Sequence, residues 1–442
     1  MRRWRAGTVG LALGVWTALG CGAVDGALEP ITGPFLEEER PEPELVSGPQ
    51  SGTPRWTVQV PLRGYQDVLG VGSDGAGGAI VLATNLLTDA SSSDSRDFGG
   101  LVLSRFGVGG QPLWTRTFTP EQGPDGSQLI QDGVLAVSPA RDLFVAGTLQ
   151  GESSLRFGET VLIGTAFVAK LAHNGVPRWI RPGAAHALAA DEQGGVVLMT
   201  RDGTVTRLDS EGRLRWQWVA PDATYSLSAV AVDTSGGVLV AGERVLGPER
   251  NQGALFRLYL DGSERWRILT PEGPGRPTFT DVALRPDGGV LLTGTFVSGF
   301  QWGRTRMEHP CASTTGCSAA PFLLAVEAFG EPQWGRVLDS SGSLDGAMKP
   351  RVAGDRHGGA AVSWGNACLA KLLRVSHGGE ELWQSQLTSE SCTGSSASLR
   401  DLTFLEDGDL MSAGTFHGTH SFIGTGDLKA DDGDIFLQRL IP

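Results

Sequence analysis

The stretch Ala166-Phe-Val-Ala-Lys-Leu-Ala-His-Asn-Gly-Val-Pro-Arg-Trp179 decides the fold. An apolar strand runs into a polar Asn-Gly turn and a second strand opens on Trp, the pattern of a β-hairpin. Versions of it recur as Gln111-Pro-Leu-Trp114, Arg213-Leu-Arg-Trp216, Ser263-Glu-Arg-Trp266, Glu331-Pro-Gln-Trp334 and Glu380-Glu-Leu-Trp383, with Trp56 as the seventh member. After each Trp comes an apolar strand, a polar Gly turn and another apolar strand, as in Val230-Ala-Val-Asp-Thr-Ser-Gly-Gly-Val-Leu-Val-Ala-Gly242. A further strand then leads to the next Trp. The tryptophans lie 37 to 68 residues apart, averaging about 55. Four short strands at this period predict an all-β chain, a seven-bladed β-propeller of four-stranded blades. Periodic aromatics are core residues more often than ligand platforms, so all seven Trp are read as packing between blades.

The order of the strands predicts how the ring shuts. With a and b the pair after each Trp strand, c the strand before the next Trp and d the Trp strand itself, the repeats open on a d strand (residues 56–60). They end on a c strand, Ile435-Phe-Leu-Gln-Arg-Leu440, with no eighth Trp. The N-terminal strand is therefore expected to close the last blade and cover its open edge.

Composition agrees with strands and turns: Gly is abundant (64) and charged residues are sparse (19%). The formal charge of −13 argues against broad nucleic-acid or anionic-membrane binding, which need clustered cations. Residues 1–20 carry Arg2, Arg3 and Arg5 and then an apolar run, the pattern of an export signal. Ala18-Leu-Gly-Cys21 resembles a bacterial lipobox, which makes Cys21 the expected lipidation site; an ordinary cleaved signal is the alternative. Residues 21–53, acidic and rich in Pro and Gly, read as a disordered tether, and residues 54–442 as the propeller. In an oxidising compartment the remaining cysteines are expected to pair as Cys311–Cys317 and Cys368–Cys392, with a zinc site as the alternative.

The blocks Phe167-Val-Ala-Lys-Leu…Gly175…Trp179, Val230-Ala-Val-Asp…Gly237…Val240-Ala-Gly242 and Asp434-Ile-Phe-Leu-Gln-Arg-Leu440 resemble the seven-bladed β-propeller (SBBP) repeat of secreted and envelope bacterial proteins. The Lys of Lys-Leu is replaced by Arg207, Arg257 or Ala325 elsewhere. The turn-then-Trp feature is also similar to quinoprotein-type propellers, including an envelope lipoprotein scaffold of outer-membrane protein assembly. These resemblances imply a fold and an extracytoplasmic setting; with the lipobox at Cys21 the chain is expected to be exported and lipid-anchored in the bacterial cell envelope, at the outer membrane. They imply no shared activity.

The a–b and c–d turns are short, while the long connections are b–c (residues 85–100, 149–165, 296–321, 416–433) and d–a (119–132, 270–280, 338–351, 388–399). Variation is thus confined to one rim, where function on a rigid scaffold is expected, and removal of residues 296–321 is expected to leave folding intact. No nucleophile elbow, zinc-protease or phosphate-loop motif occurs. His417 and His420, with Asp427, are the candidate metal ligands, against a surface loop that merely holds two histidines. Asp427, Asp431, Asp432 and Asp434 are candidates for Ca²⁺, otherwise turn carboxylates, and no other cofactor is expected. Asp94, Asp97, Asp125, Asp339 and Asp345 fall in rim loops, where a pair could serve a hydrolase or lyase at the central channel. The favoured reading is a monomeric, envelope-anchored interaction module that holds a protein or glycan; a propeller enzyme is the alternative.

Overall fold

The computed structural model describes residues 51–60, 65–88, 97–121, 128–247, 250–311, 318–339, 348–366, 369–386, 396–422 and 426–442. The expected signal and Cys21, and also Cys317, Cys368, Cys392, Asp94, Asp125 and Asp345, lie outside the described residues. Among the described residues there are strands and turns and no helix.

Seven antiparallel sheets of four strands follow one another along the chain. Blade 1 comprises Tyr65–Ser73, Ala79–Thr88, Asp97–Phe106 and Pro112–Phe118, and blade 2 Gln128–Val137, Leu143–Phe157, Thr160–Leu171 and Pro177–Pro182. Blade 3 is the smallest: Ala187–Ala190, Val196–Met199, Thr204–Leu208 and Leu214–Val219. Blade 4 runs from Tyr225 to Leu269, blade 5 from Thr278 to Val337 and blade 6 from Met348 to Gln386. The seven a strands pack against one another in a closed circle, blade 7 meeting blade 1, so they line a central channel. The central segments of the b and c strands, rich in Val, Leu, Ile, Ala and Phe, are buried between neighbouring blades.

Blade 7 closes the ring as the strand order requires. Ser396–Phe404, Leu410–Phe422 and Gly426–Leu440 supply a, b and c, and Pro54–Val60 adds as d, pairing Trp56 with Arg439 and Val60 with Ile435. The closing turn is split between the two ends of the ring. Gly52 N–H donates to Ile441 O and Ile441 N–H to Thr53 O, both at 2.9 Å. Gly212 and Asp209 make the same two bonds within the unbroken turn of blade 3. Gly52 adopts φ +80°, as Gly212 does at +73°, a left-handed conformation costly for other residues. Residues 51–53 are thus the second half of a c–d turn.

One position ties the blades together on the short-turn face. In six blades the c-strand cation opposite the Trp reaches an aspartate of its own a–b turn: Arg105 to Asp74 (2.8 Å), Lys170 to Asp142 (2.8 Å), Arg207 to Asp191 (2.6 Å), Arg257 to Asp233, Arg374 to Asp355 and Arg439 to Asp409 (2.6 Å). Several also cross to the next blade. Lys170 donates to Gly194 O, Arg207 to Gly236 O and Arg439 to Gly77 O, while Arg374 lies 4.7 Å from the Phe404 ring. Blade 5 has Ala325 at this place, and there Arg285 of the a–b turn comes in from the other side, donating to Gln333 and sitting against His377 of blade 6. Where the variable position of the repeat is Lys or Arg it is therefore a structural clasp, and at Ala325 Arg285 takes its place. The tryptophans fill the interblade space as expected, and four indoles donate to the next blade's c–d turn: Trp56 to Val108 O, Trp179 to Ser210 O, Trp216 to Leu260 O and Trp334 to His377 O.

Two parts of the long-loop face differ from the expectation. The b–c connections of blades 2 and 7 are not loops but continuations of the strands, pairing Ser153 with Gly164 and Phe422 with Gly426. In blade 5 the connection holds a small hairpin, Phe300–Trp302 with Thr305–Met307, whose Trp302 and Met307 are 7% and 1% exposed and sit in the core beside Phe279 and Phe322. Excision of residues 296–321 would strip that core, which corrects the expectation that folding tolerates it.

Candidate functional site at the channel mouth

The a strands of six blades each carry a β-bulge near their middle. A bulge leaves a residue unpaired and re-aims its side chain. Here the re-aimed polar groups span blade boundaries: Ser228 Oγ donates to Phe279 O, Thr280 Oγ1 to Pro350 O, and Arg400 Nε to Asp67 Oδ1 at 2.8 Å. Two aspartates do the same. Asp281 accepts from Val282 N (2.9 Å) and from Val352 N of the next blade (3.0 Å). Asp401 accepts from Leu402 N (2.9 Å) and, across the ring closure, from Val71 N (2.8 Å).

Arg351 of blade 6 acts on both carboxylates and holds their pKa values down, but burial outweighs it. Asp281 is raised, and Asp401 is pushed up to about 6, with the Asp281 charge adding to the rise. Two acids and an arginine therefore converge in the channel, a grouping no sequence motif announced. The in-phase bulges that bring them together are not visible as a residue pattern. Both carboxylates already hold backbone amides together, which is a structural use of their oxygens.

Above them, on the long-loop face, lies a depression of about 530 Å³. His186, Arg201, Glu243 and Lys349 line it, with the hydroxyls of Ser226, Ser228, Thr278, Thr280 and Thr295. Arg201 projects from the tight turn between the b and c strands of blade 3. His186 precedes the a strand of that blade, and its Nε2 lies 2.9 Å from Leu227 O of blade 4. Since a carbonyl can only accept, Nε2 carries the proton and Nδ1 is the acceptor. Nδ1 is buried with no hydrogen-bond partner among the described residues. Burial lowers the His186 pKa, and the Arg201 and Lys349 charges lower it further, so the ring is neutral at physiological pH. Glu243 accepts from Asn251 Nδ2 at 2.8 Å, and burial raises its pKa.

The candidates from sequence are dispersed. His417 stacks on Tyr65 with ring centroids 5.3 Å apart, whereas His420, on the same strand, is buried against Phe416 and Phe422 and its pKa is lowered by desolvation. Asp427 accepts from Ser421 Oγ and Asp434 from Gln59 Nε2. Asp97 lies in the c strand of blade 1, and Asp431 and Asp432 in that of blade 7. Asp339 is bound to Lys371 and, through its backbone carbonyl, to Trp364 Nε1. No group of three His, Cys, Asp or Glu placed to hold a metal ion occurs among the described residues. On the opposite face the turns are taken up by the clasps, and the exposed apolar groups there include Tyr259, Leu260 and Phe329, with Arg265 between the two rings.

Neither a protein-family model nor a curated protein sequence matches the chain. Among solved structures it is similar to U3-55K (TM-score 0.52, 11% identity, 87% of this chain and 98% of that one) and to the WD40 repeats of RRP9 (0.52, 11%, 88% and 99%). BamB from Moraxella catarrhalis also aligns, over 88% of this chain and 99% of that one, at 14% identity and TM-score 0.43. At such identities the likeness is one of fold: this chain is a seven-bladed β-propeller.

Proposed function

We propose that the protein is an exported interaction scaffold, anchored to the cell envelope through a lipid on Cys21, that holds its ligand at the long-loop face. The observation carrying this reading is the asymmetry of the ring. On one face the c-strand cations, the a–b aspartates and four of the indoles are engaged in holding blades together, and a depression of about 460 Å³ there is walled by such engaged groups, Asp191, Arg207 and Trp216 among them. On the other, an open depression is ringed by charged and hydroxyl groups from blades 3 to 6. Ser51 belongs to the split c–d turn of blade 7, on the face away from the mouth. The two channel carboxylates, which a hydrolase or lyase would need free, are engaged by backbone amides, and this favours binding over catalysis. The disulfides Cys311–Cys317 and Cys368–Cys392 belong to the same reading, as braces for connections on that face.

The test is capture of partners from the envelope fraction by three forms of the whole chain: wild type, a mouth variant (Ser226→Arg with Thr278→Arg) and an opposite-face variant (Phe329→Glu). Loss of capture in the mouth variant alone is the expected result. Loss in the Phe329→Glu form alone would move the docking face to the short turns.

A further inference from the structure

We propose that the channel mouth binds a polyhydroxylated carboxylate, the chemistry of a uronic-acid unit, with Arg201 and Lys349 receiving the carboxylate and His186 and Glu243 accepting from its hydroxyls. This rests on the mouth being the docking face and names what docks there.

Arg201 meets Asp132 at 3.4 Å, but both side chains are largely exposed, and such a pair is weak and readily exchanged. Its planar fork matches a carboxylate bidentately, and the exposed Lys349 adds a second positive charge from blade 6. Both charges are felt by His186, so the two cations approach the same imidazole from different blades.

The acceptors are equally specific. His186 Nδ1 is buried and unpartnered in the wall of the depression, and an unfilled acceptor there is costly until a donor reaches it. A hydroxyl supplies that donor; a second carboxylate does not. Among the described residues Glu243 accepts one hydrogen bond, from Asn251, and a carboxylate accepts several. The large apolar side chains of the lining, Leu227 and Phe279, are buried, so no large apolar side chain stands open to a protein partner, while the half-buried Ala319 leaves the C–H edge of a sugar ring a surface to pack on. Donors of positive charge beside acceptors for hydroxyls, with no large apolar side chain exposed, describe a sugar acid better than an acidic peptide.

Titration calorimetry on the whole chain in detergent tests this with four probes: galacturonate, trigalacturonate, a neutral galactose trimer and tri-glutamate. Binding of either uronate but not of the neutral trimer is expected, weakening with added salt. Equal affinity for the two uronates would identify a single free unit as sufficient, and preference for the trimer a glycan chain. Arg201→Ala and Lys349→Ala, both at exposed positions, should each weaken uronate binding by about tenfold or more with the near-UV dichroism unchanged, and Arg201→Lys should recover part of the loss. The proposal is overturned if no probe binds, if the neutral trimer or tri-glutamate binds as well as the uronates, or if the double alanine variant keeps wild-type affinity. Envelope capture that persists while uronate binding is absent would sink this inference alone. Capture that moves to the opposite face would sink the reading beneath it.

Discussion

Asp401 carries its own pH dependence. Its pKa in the folded chain is raised from an ordinary 3.8 to about 6, by burial beside the Asp281 charge. A carboxyl that binds its proton more tightly when folded favours the fold at low pH, and that contribution is lost as the pH rises through about 6. A rise of about two units corresponds to about 2–3 kcal/mol, allowing for water reaching the group through the channel. Asp281 is raised in the same direction. Stability measured by denaturant unfolding should therefore fall between about pH 4 and about pH 7 from these sites, and Asp401→Asn should flatten the slope whatever it does to the absolute value. A slope unchanged in Asp401→Asn would mean the group is ionised throughout. The Arg207–Asp191 clasp makes the contrasting case. Their side chains are 5% and 3% exposed, so removing one leaves a buried charge. Arg207→Met should cost about 3–5 kcal/mol, and Arg207→Met with Asp191→Asn, which keeps an acceptor for Gly195 N–H, should return most of it. Equal losses in the single and double variants would deny the pairing its role.

At the scale of the hairpin, the sequence was legible wherever one pattern repeats in register. The Trp opposite the c-strand cation, the left-handed Gly of each c–d turn and the alternation of the c strands all follow from local spacing, and the blades appear where that spacing puts them. The partner of the c-strand cation was present in the sequence too, as Asp74, Asp191, Asp233 and Asp355, each four residues before the second Gly of a Gly-Gly pair. It went unread because the pairing joins elements that the repeat spacing alone does not put side by side. The channel mouth was not legible for a related reason: His186, Arg201, Glu243 and Lys349 come from four separate connections and strand ends and share no spacing. The blade 5 insertion misled in the opposite direction, since length and polarity suggested a dispensable loop while Trp302 and Met307 complete a core. Trp302→Ala should cost about 3–5 kcal/mol, and removal of Phe300–Met307 at least as much. Thermal unfolding measures both, and a melting temperature unaltered by either would restore the loop reading.

For the whole ring, the decisive feature is that its ends meet within a single turn. Pro54–Val60 is bound to Gly426–Leu440 by a strand ladder, by Gln438 Nε2 donating to Thr57 Oγ1 (3.1 Å) and by Asp409, which takes Arg55 at 2.5 Å and Arg439 at 2.6 Å. Removing residues 51–60 therefore deletes one strand, one of the two cations on the buried Asp409 and the cover over the edge of blade 7, and should leave an aggregation-prone ring with a much lower melting temperature. The opposite manipulation is the sharper test. Because Pro442 and Ser51 occupy the places that Ser210 and Glu211 hold in the covalent turn of blade 3, a peptide bond between them should demand no change in the ladder. A permutant that joins Pro442 to Ser51 and opens within residues 341–347 should fold to the same far-UV dichroism. It should unfold at least as late as residues 51–442 in natural order, since the closing strand no longer has to find the ring from a free end. Failure of the permutant to fold, with the natural-order control intact, would mean that blade 7 must close last and from a free strand.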